Sequence, residues 1–132
     1  MLVKQVAAAI IMQQDNILCC QRTEHQTLPL KWEFPGGKIE PGEDEPAALQ
    51  RELDEELGIR AAIGRRVAQL RHRYANGNAV ELHFFLVEHY EGEMQNRIFR
   101  EIRWVNRREL PKLDFLEADH KLVQQLANGE LL

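Results

Sequence analysis

Residues 44–58 constrain the fold more than any other stretch of the chain. Pro46 suits the first turn of a helix, where its missing N–H removes no bond, and Asp44 or Glu45 can cap that turn. Ala48, Leu49, Leu53 and Leu57 recur at helical spacing, and Gly58 stands where a left-handed residue ends a helix. Such a helix has an apolar stripe that must be buried against another layer.

The other strong signals are strands. Val6–Met12 is a continuous apolar run, Asp15-Asn16 is a turn, and Ile17–Gln21 resumes as a strand, which predicts a hairpin. Residues 23–30 are polar and irregular; Trp32, Phe34 and Pro35-Gly36-Gly37 then predict a short strand ending in a tight loop. After the helix, Ile59–Leu70 reads as one strand. Asn76-Gly77 is a hairpin turn, Val80–Val87 a strand and Ile102–Val105 a shorter one. A second amphipathic helix is expected over residues 117–127, with Leu122, Val123 and Leu126 on one face and Gly129 as its stop. Many strands with two irregularly placed helices predict an α+β fold, an α/β/α sandwich around a mixed sheet, and not a doubly wound parallel one.

The 132 residues suit a single domain spanning 1–132, long enough to fold without a disulfide or metal staple. Apolar residues make up 44% and charged residues 29%, which excludes disorder, collagen and coiled coil. No run of about 18 apolar residues exists, so no membrane span is expected, and the N-terminus reads as a strand and not a signal peptide. The default location is cytoplasmic. Cys19 and Cys20 are adjacent, so in a strand they point to opposite faces and read as free thiols. A net charge of −4 argues against binding a nucleic-acid polymer through a basic surface.

The helix carries its own chemistry. Glu52, Glu55 and Glu56 stand at i, i+3 and i+4 and share one face. At about 5 Å and an effective dielectric of 20, each like-charged pair costs about 3 kcal/mol. A solvated face screens much of that; a face turned toward the sheet or a glycine-rich loop does not, and then needs a cation. Oxygen ligands without Cys or His point to Mg²⁺ or Mn²⁺. Arg51 can grip Glu43 in bidentate fashion and pin the preceding loop to the helix.

Gly37, Glu43, Arg51, Glu52, Leu53, Glu55, Glu56, Gly58 and Ile59 fill, without a gap, every specified place of the pattern G-x5-E-x7-R-E-U-x-E-E-x-G-U, with U aliphatic. The segment resembles the Nudix box. That resemblance implies the family's sandwich fold and hydrolysis of a nucleoside diphosphate linked to another group. It implies Glu52, Glu55, Glu56 and the Gly37 carbonyl as metal ligands, with a Glu of the cluster as a possible base, and Glu43 with Arg51 as a structural brace. Trp32-Glu33-Phe34-Pro35-Gly36-Gly37-Lys38 is similar to the MutT-type branch, whose members cleave nucleoside triphosphates to the monophosphate and pyrophosphate.

By the same resemblance Arg22 would contact triphosphate or sugar, Phe34 would pack on the base, Lys38 would bind phosphate, and Asp119 would select the base. An Asn suits a guanine edge because it donates and accepts; an ionised Asp only accepts, which suits an amino group such as that of cytosine. The chain departs from the branch in two places. Ile98 stands where a loop Glu is common, leaving Glu101 as the nearest carboxylate to serve as base. Asn78 stands in the place of a base-contacting Arg of an 8-oxoguanine member. The expected activity is that of a Mg²⁺- or Mn²⁺-dependent pyrophosphohydrolase acting on a nucleoside triphosphate such as 8-oxo-dGTP, in nucleotide-pool sanitation, as a monomer or homodimer. The alternatives are CTP or dCTP, another nucleoside diphosphate conjugate, or a catalytically silent nucleotide-binding module.

Overall fold

The computed structural model describes residues 3–132. The strands are β1 (Val3–Gln13), β2 (Asn16–Gln21), β3 (Trp32–Glu33) and β4 (Gly36–Lys38), followed by helix α1 (Glu45–Leu57). Next come β5 (Arg60–Ala62), β6 (Arg66–Arg73), β7 (Ala79–Val87), β8 (His89–Glu91) and β9 (Glu101–Asn106). Two 3₁₀ segments, Arg107–Lys112 and Glu117–Asp119, lead into α2 (His120–Ala127).

Seven strands form one mixed sheet in the order β3-β2-β1-β7-β6, with β4 added beside β1 and β9 beside β2. β1 and β7 are parallel over nine residue pairs, from Val3↔Ala79 to Ile11↔Val87. β1 and β2 pair only next to their turn, at Met12↔Ile17 and Gln13↔Asn16, and then splay apart. Residues 32–38 wedge into the opening: Glu33 pairs with Cys20 of β2, and Gly36, Gly37 and Lys38 pair with Ala8, Ala7 and Val6 of β1. This wedge brings the glycines to the middle of the sheet, where α1 can reach them.

Strand alternation sorts the core into two layers. Ala7, Ala9, Ile11, Leu18 and Cys20 face Leu49, Leu53 and Leu57 of α1. Ala8, Ile10, Ile17 and Cys19 face Leu122, Val123 and Leu126 of α2. The sandwich expected from sequence is therefore present, and the two buried thiols lie in opposite layers. Burial pushes the Cys19 thiol up to about 12 and Cys20 well above its usual value. No helix among the described residues is long and apolar enough to cross a membrane.

Three expectations need correction. Ile59–Leu70 is not one strand: Gly64 donates its N–H to Leu86 O (2.8 Å), and the chain passes from a small two-stranded sheet (β5 with β8) to the main one. The second helix begins three residues later than expected, because residues 117–119 take the tighter 3₁₀ form. The short strand β8, paired with β5, had no counterpart in the sequence pattern.

The wedge depends on Gly36. Its φ is +151°, and a Cβ there would lie 2.1 Å from Ala7 O, a backbone atom that cannot step aside. Gly36→Ala is expected to cost at least about 3 kcal/mol in urea unfolding, or to prevent folding. A loss under 0.5 kcal/mol (on the order of an ordinary surface change) would mean the wedge is not packed as described.

Candidate active site

α1 is held at three levels. Its start is capped by the Asp44 side chain, which accepts from Ala47 N (2.8 Å). Its end is closed by Gly58 at φ +69° and by the loop before β9: Arg97 Nη1 donates to Asp54 O (3.0 Å), and the backbone N–H groups of Gln95 and Arg97 donate to Leu57 O and Glu56 O. Between them Arg51 forms the expected brace. Its Nε and Nη2 grip both oxygens of Glu43 (2.8 and 2.9 Å), Nη2 reaches Lys38 O (3.0 Å), and Nη1 reaches Glu52 (2.9 Å). The Arg51 hydrogen bonds bring the Glu43 carboxyl down to about 2 and raise Arg51 above its ordinary value.

The three helix carboxylates do not stand alike. Glu56 is buried, and its Oε1 accepts from Gly36 N (3.3 Å). Glu52 is packed against Gly37 so closely that a Cβ there would lie 2.5 Å from its carboxyl carbon. Burial and a hydrogen bond with Glu52 push Glu56 up to about 9. Two carboxyls in contact need a proton or a cation to bridge them, so these oxygens suit a hard divalent ion. Glu55 is 59% exposed and is held only by a 3.5 Å contact with Arg51. Among the described residues no three Asp, Glu, His or Cys side chains gather closely enough to enclose a metal.

Glu56, Gly36, Gly37 and Lys38 open onto a cleft of about 830 Å³. Its apolar wall is Phe34, Phe84, Val80 and Leu82, with Phe34 edge-on to Phe84 (6.2 Å) and tilted on Phe115 (5.1 Å). Arg22, Asn78 and Asp119 line it as well. Arg22 is already engaged, donating to Thr27 O, Thr27 Oγ1 and Glu33 Oε1 (2.8, 3.0 and 3.1 Å), so it also fixes the loop after β2. Asn78 contributes from the hairpin, where Tyr74 N donates to its carbonyl. Asp119 precedes α2 but makes no capping bond; it is 4% exposed. Burial, and to a lesser degree Glu33, push its carboxyl up to about 7.

Glu101 stands apart. Its carboxylate accepts from Arg103 Nε (2.8 Å), it is not part of the cleft lining, and Ile98 and Phe99 line the cleft in that region. Glu33 is the residue that the sequence reading missed. It lies in the cleft, its carboxyl is raised by burial and lowered by Arg22, and it acts electrostatically on both Glu56 and Asp119. The one available signal was a lone charge between two aromatic residues, Trp32 and Phe34.

A family model for the NUDIX domain matches residues 3–126. The chain is a Nudix hydrolase. Similar relatives include an Escherichia coli protein named CTP pyrophosphohydrolase, 37% identical over 120 residues, covering 91% of this chain and 88% of the relative. An 8-oxo-dGTP diphosphatase of Haemophilus influenzae is also 37% identical, over 125 residues, covering 94% and 91%. The solved Escherichia coli ORF135 protein superposes with a TM-score of 0.84 at 36% identity, covering 94% of this chain and 88% of that one. A MutT Nudix hydrolase from Burkholderia pseudomallei has the same fold, with a TM-score of 0.84 at 24% identity, covering 95% and 98%. In this Nudix hydrolase the carboxylate helix, the brace and the cleft are contiguous.

Asp119 yields a stability test. Its carboxyl titrates near its usual 3.8 when unfolded and near 7 when folded, so the folded state holds the extra proton in between. The contribution of Asp119 to stability is then fully present below about pH 4 and is lost as pH rises toward 7. Asp119→Asn is expected to gain roughly 2–4 kcal/mol over wild type at pH 8 and little at pH 4. Urea melts at the two pH values check this; an equal difference at both would refute it.

Proposed function

We propose that this Nudix hydrolase cleaves a nucleoside triphosphate to the monophosphate and pyrophosphate, with Mg²⁺ or Mn²⁺ as its metal and the cytoplasm as its location. The observation that carries the reading is the placing of Glu52 against Gly37 and of Glu56 on the Gly36 N–H, at the glycine end of an aromatic-walled cleft. Glu52, Glu56 and Glu55, with the Gly37 carbonyl, would hold the metal. When bound, it supplies charge neutralisation of the phosphates and acidification of a water. Lys38 adds positive charge at the phosphate end. Glu55 is exposed and loosely held, so it is the one of the three that would serve as base in place of a ligand role, accepting the proton of the attacking water. Glu101 would need to leave Arg103 to serve instead.

The base would lie against Phe34 and Phe84, with Asp119 and Glu33 as polar contacts. A carboxyl that titrates near 7 is a donor when protonated and an acceptor when ionised. Protonated Asp119 does what an Asn does, which suits 8-oxo-dGTP. Ionised Asp119, beside Glu33, suits the amino group of CTP or dCTP, and the missing Arg at Asn78 favours this second reading.

A nucleotide panel with Mg²⁺, followed by chromatography of the products, tests the activity. Monophosphate and pyrophosphate are expected, and Glu55→Gln should lower kcat by about 10³-fold or more with an unchanged unfolding curve. Absence of turnover on every triphosphate would leave another nucleoside diphosphate conjugate as substrate, or nucleotide binding alone. The ratio of kcat/KM for CTP to that for 8-oxo-dGTP should rise about fivefold or more between pH 6 and pH 8, as Asp119 ionises. It should be flat in Asp119→Asn; a flat ratio in wild type would remove Asp119 from base selection.

A further inference from the structure

Among the described residues, one buried side-chain nitrogen has no hydrogen-bond partner: Nδ1 of His83. An orphaned polar atom in a packed interior calls for a reason. His83 lies on β7, 5% exposed, two residues from Phe85 and so on the face of the sheet that α1 covers. Its Nε2 is 2.8 Å from Gln5 Oε1 on β1. Its Nδ1 is 3.5 Å from Oε1 of Glu45, the first residue of α1.

That same Glu45 oxygen is bound by Nη2 of Arg66 on β6. The register of β6 against β7 shifts between Arg66 and Ala68, and a bulge of this kind re-aims a side chain. The Arg66 guanidinium also lies over the Phe85 ring (5.7 Å) and donates to Gln69 (2.9 Å). Glu81, the acid on the same face of β7, is taken up by Gln69 (2.6 Å) and Arg71 (2.8 Å). Glu45 is thus the one carboxylate in contact with the orphaned nitrogen.

We propose that Arg66 and His83 form a seat for the first turn of α1, with His83 a positioning residue that acts through Glu45. The seat requires the proton of His83 on Nδ1, directed at Glu45, with the Gln5 amide turned so that its NH₂ donates to Nε2. The 3.5 Å separation exceeds a hydrogen bond by a few tenths of an ångström, roughly 0.5 Å. A small inward movement of the helix start closes it. Asp44 caps the start of α1 and Arg51 and Arg97 hold its middle and end; the seat ties the first turn to the sheet, and a tilt there would displace Glu52 and Glu56 together. Displacement of a working group by about 1 Å costs on the order of 10²-fold in rate, so a partial loss of the seat should be visible in kcat. This inference rests on Glu52, Glu55 and Glu56 being the working carboxylates.

Nitrogen-15 correlation spectra of the full chain report the imidazole tautomer without any substrate. A proton on Nδ1 is expected; a bare Nδ1 with the proton on Nε2 overturns the seat. His83→Leu should lower kcat about tenfold with KM within about twofold, and should weaken hydrogen-exchange protection of the α1 amides. His83→Asn, whose amide N–H takes the place of Nδ1–H, should restore kcat to within about threefold and restore that protection. In a Glu45→Ala background His83→Leu should add little, because both changes break one contact. Equal losses for Leu and Asn, additive losses with Glu45→Ala, or wild-type kcat for His83→Leu would each overturn the proposal. If His83→Leu does not fold, the tautomer and the comparison of His83→Asn with Glu45→Ala decide. If the wild-type chain turns over no nucleotide, the functional reading fails, while the tautomer and the exchange data still judge the seat.

Discussion

The site depends on the near contact between the backbone at Gly37 and the carboxylate of Glu52. No side chain fits between them, since a Cβ at Gly37 would fall within 2.7 Å of all three Glu52 carboxyl atoms. That proximity exists because β1 and β2 separate after their turn and residues 32–38 fill the gap. The sheet thus offers its centre, and not an edge, to the charged side of α1. Burying acidic side chains there is unfavourable unless each has an assigned partner. Arg51 answers Glu43 and Glu52, Gly36 N–H answers Glu56, and the charge left over is what a divalent ion would neutralise.

Much of this was legible in the chain itself. The limits of α1 follow from local chemistry alone: Asp44 caps it, Pro46 opens it and Gly58 closes it in the left-handed region. The Asn76-Gly77 hairpin is equally local, with Tyr74 N–H donating to Asn78 O. The Glu43–Arg51 brace could be read from an eight-residue spacing because both groups sit on segments whose geometry is nearly fixed.

What was not legible depends on tertiary placement. Nothing in the apolar pattern says that β1 and β2 part, so nothing in it marks Glu33 as a cleft residue. The break at Gly64 is forced by the approach of Leu86 O, a contact between distant segments. Three Glu on one helical face looked equivalent by spacing; burial pushes the Glu56 carboxyl up to about 9 while Glu55 remains in water. Glu101 was chosen for proximity in sequence, yet on β9 its carboxylate is taken by Arg103. Asp119 occupies a capping position without capping, because its carboxyl faces the cleft and accepts from no N–H of α2.

The loop before β9 serves two masters through neighbouring residues. Arg97 closes the end of the carboxylate helix, and Ile98 with Phe99 forms part of the cleft wall. The distance between those structures is therefore set by a single peptide linkage of about 3.8 Å between successive Cα atoms. A residue inserted at that junction could not be absorbed as slack: it would uncouple the helix end or shift the wall. Length variation among such chains should consequently collect elsewhere, at the polar β2–β3 connection or the β6–β7 hairpin, where no neighbouring pair is bound to both tasks at once.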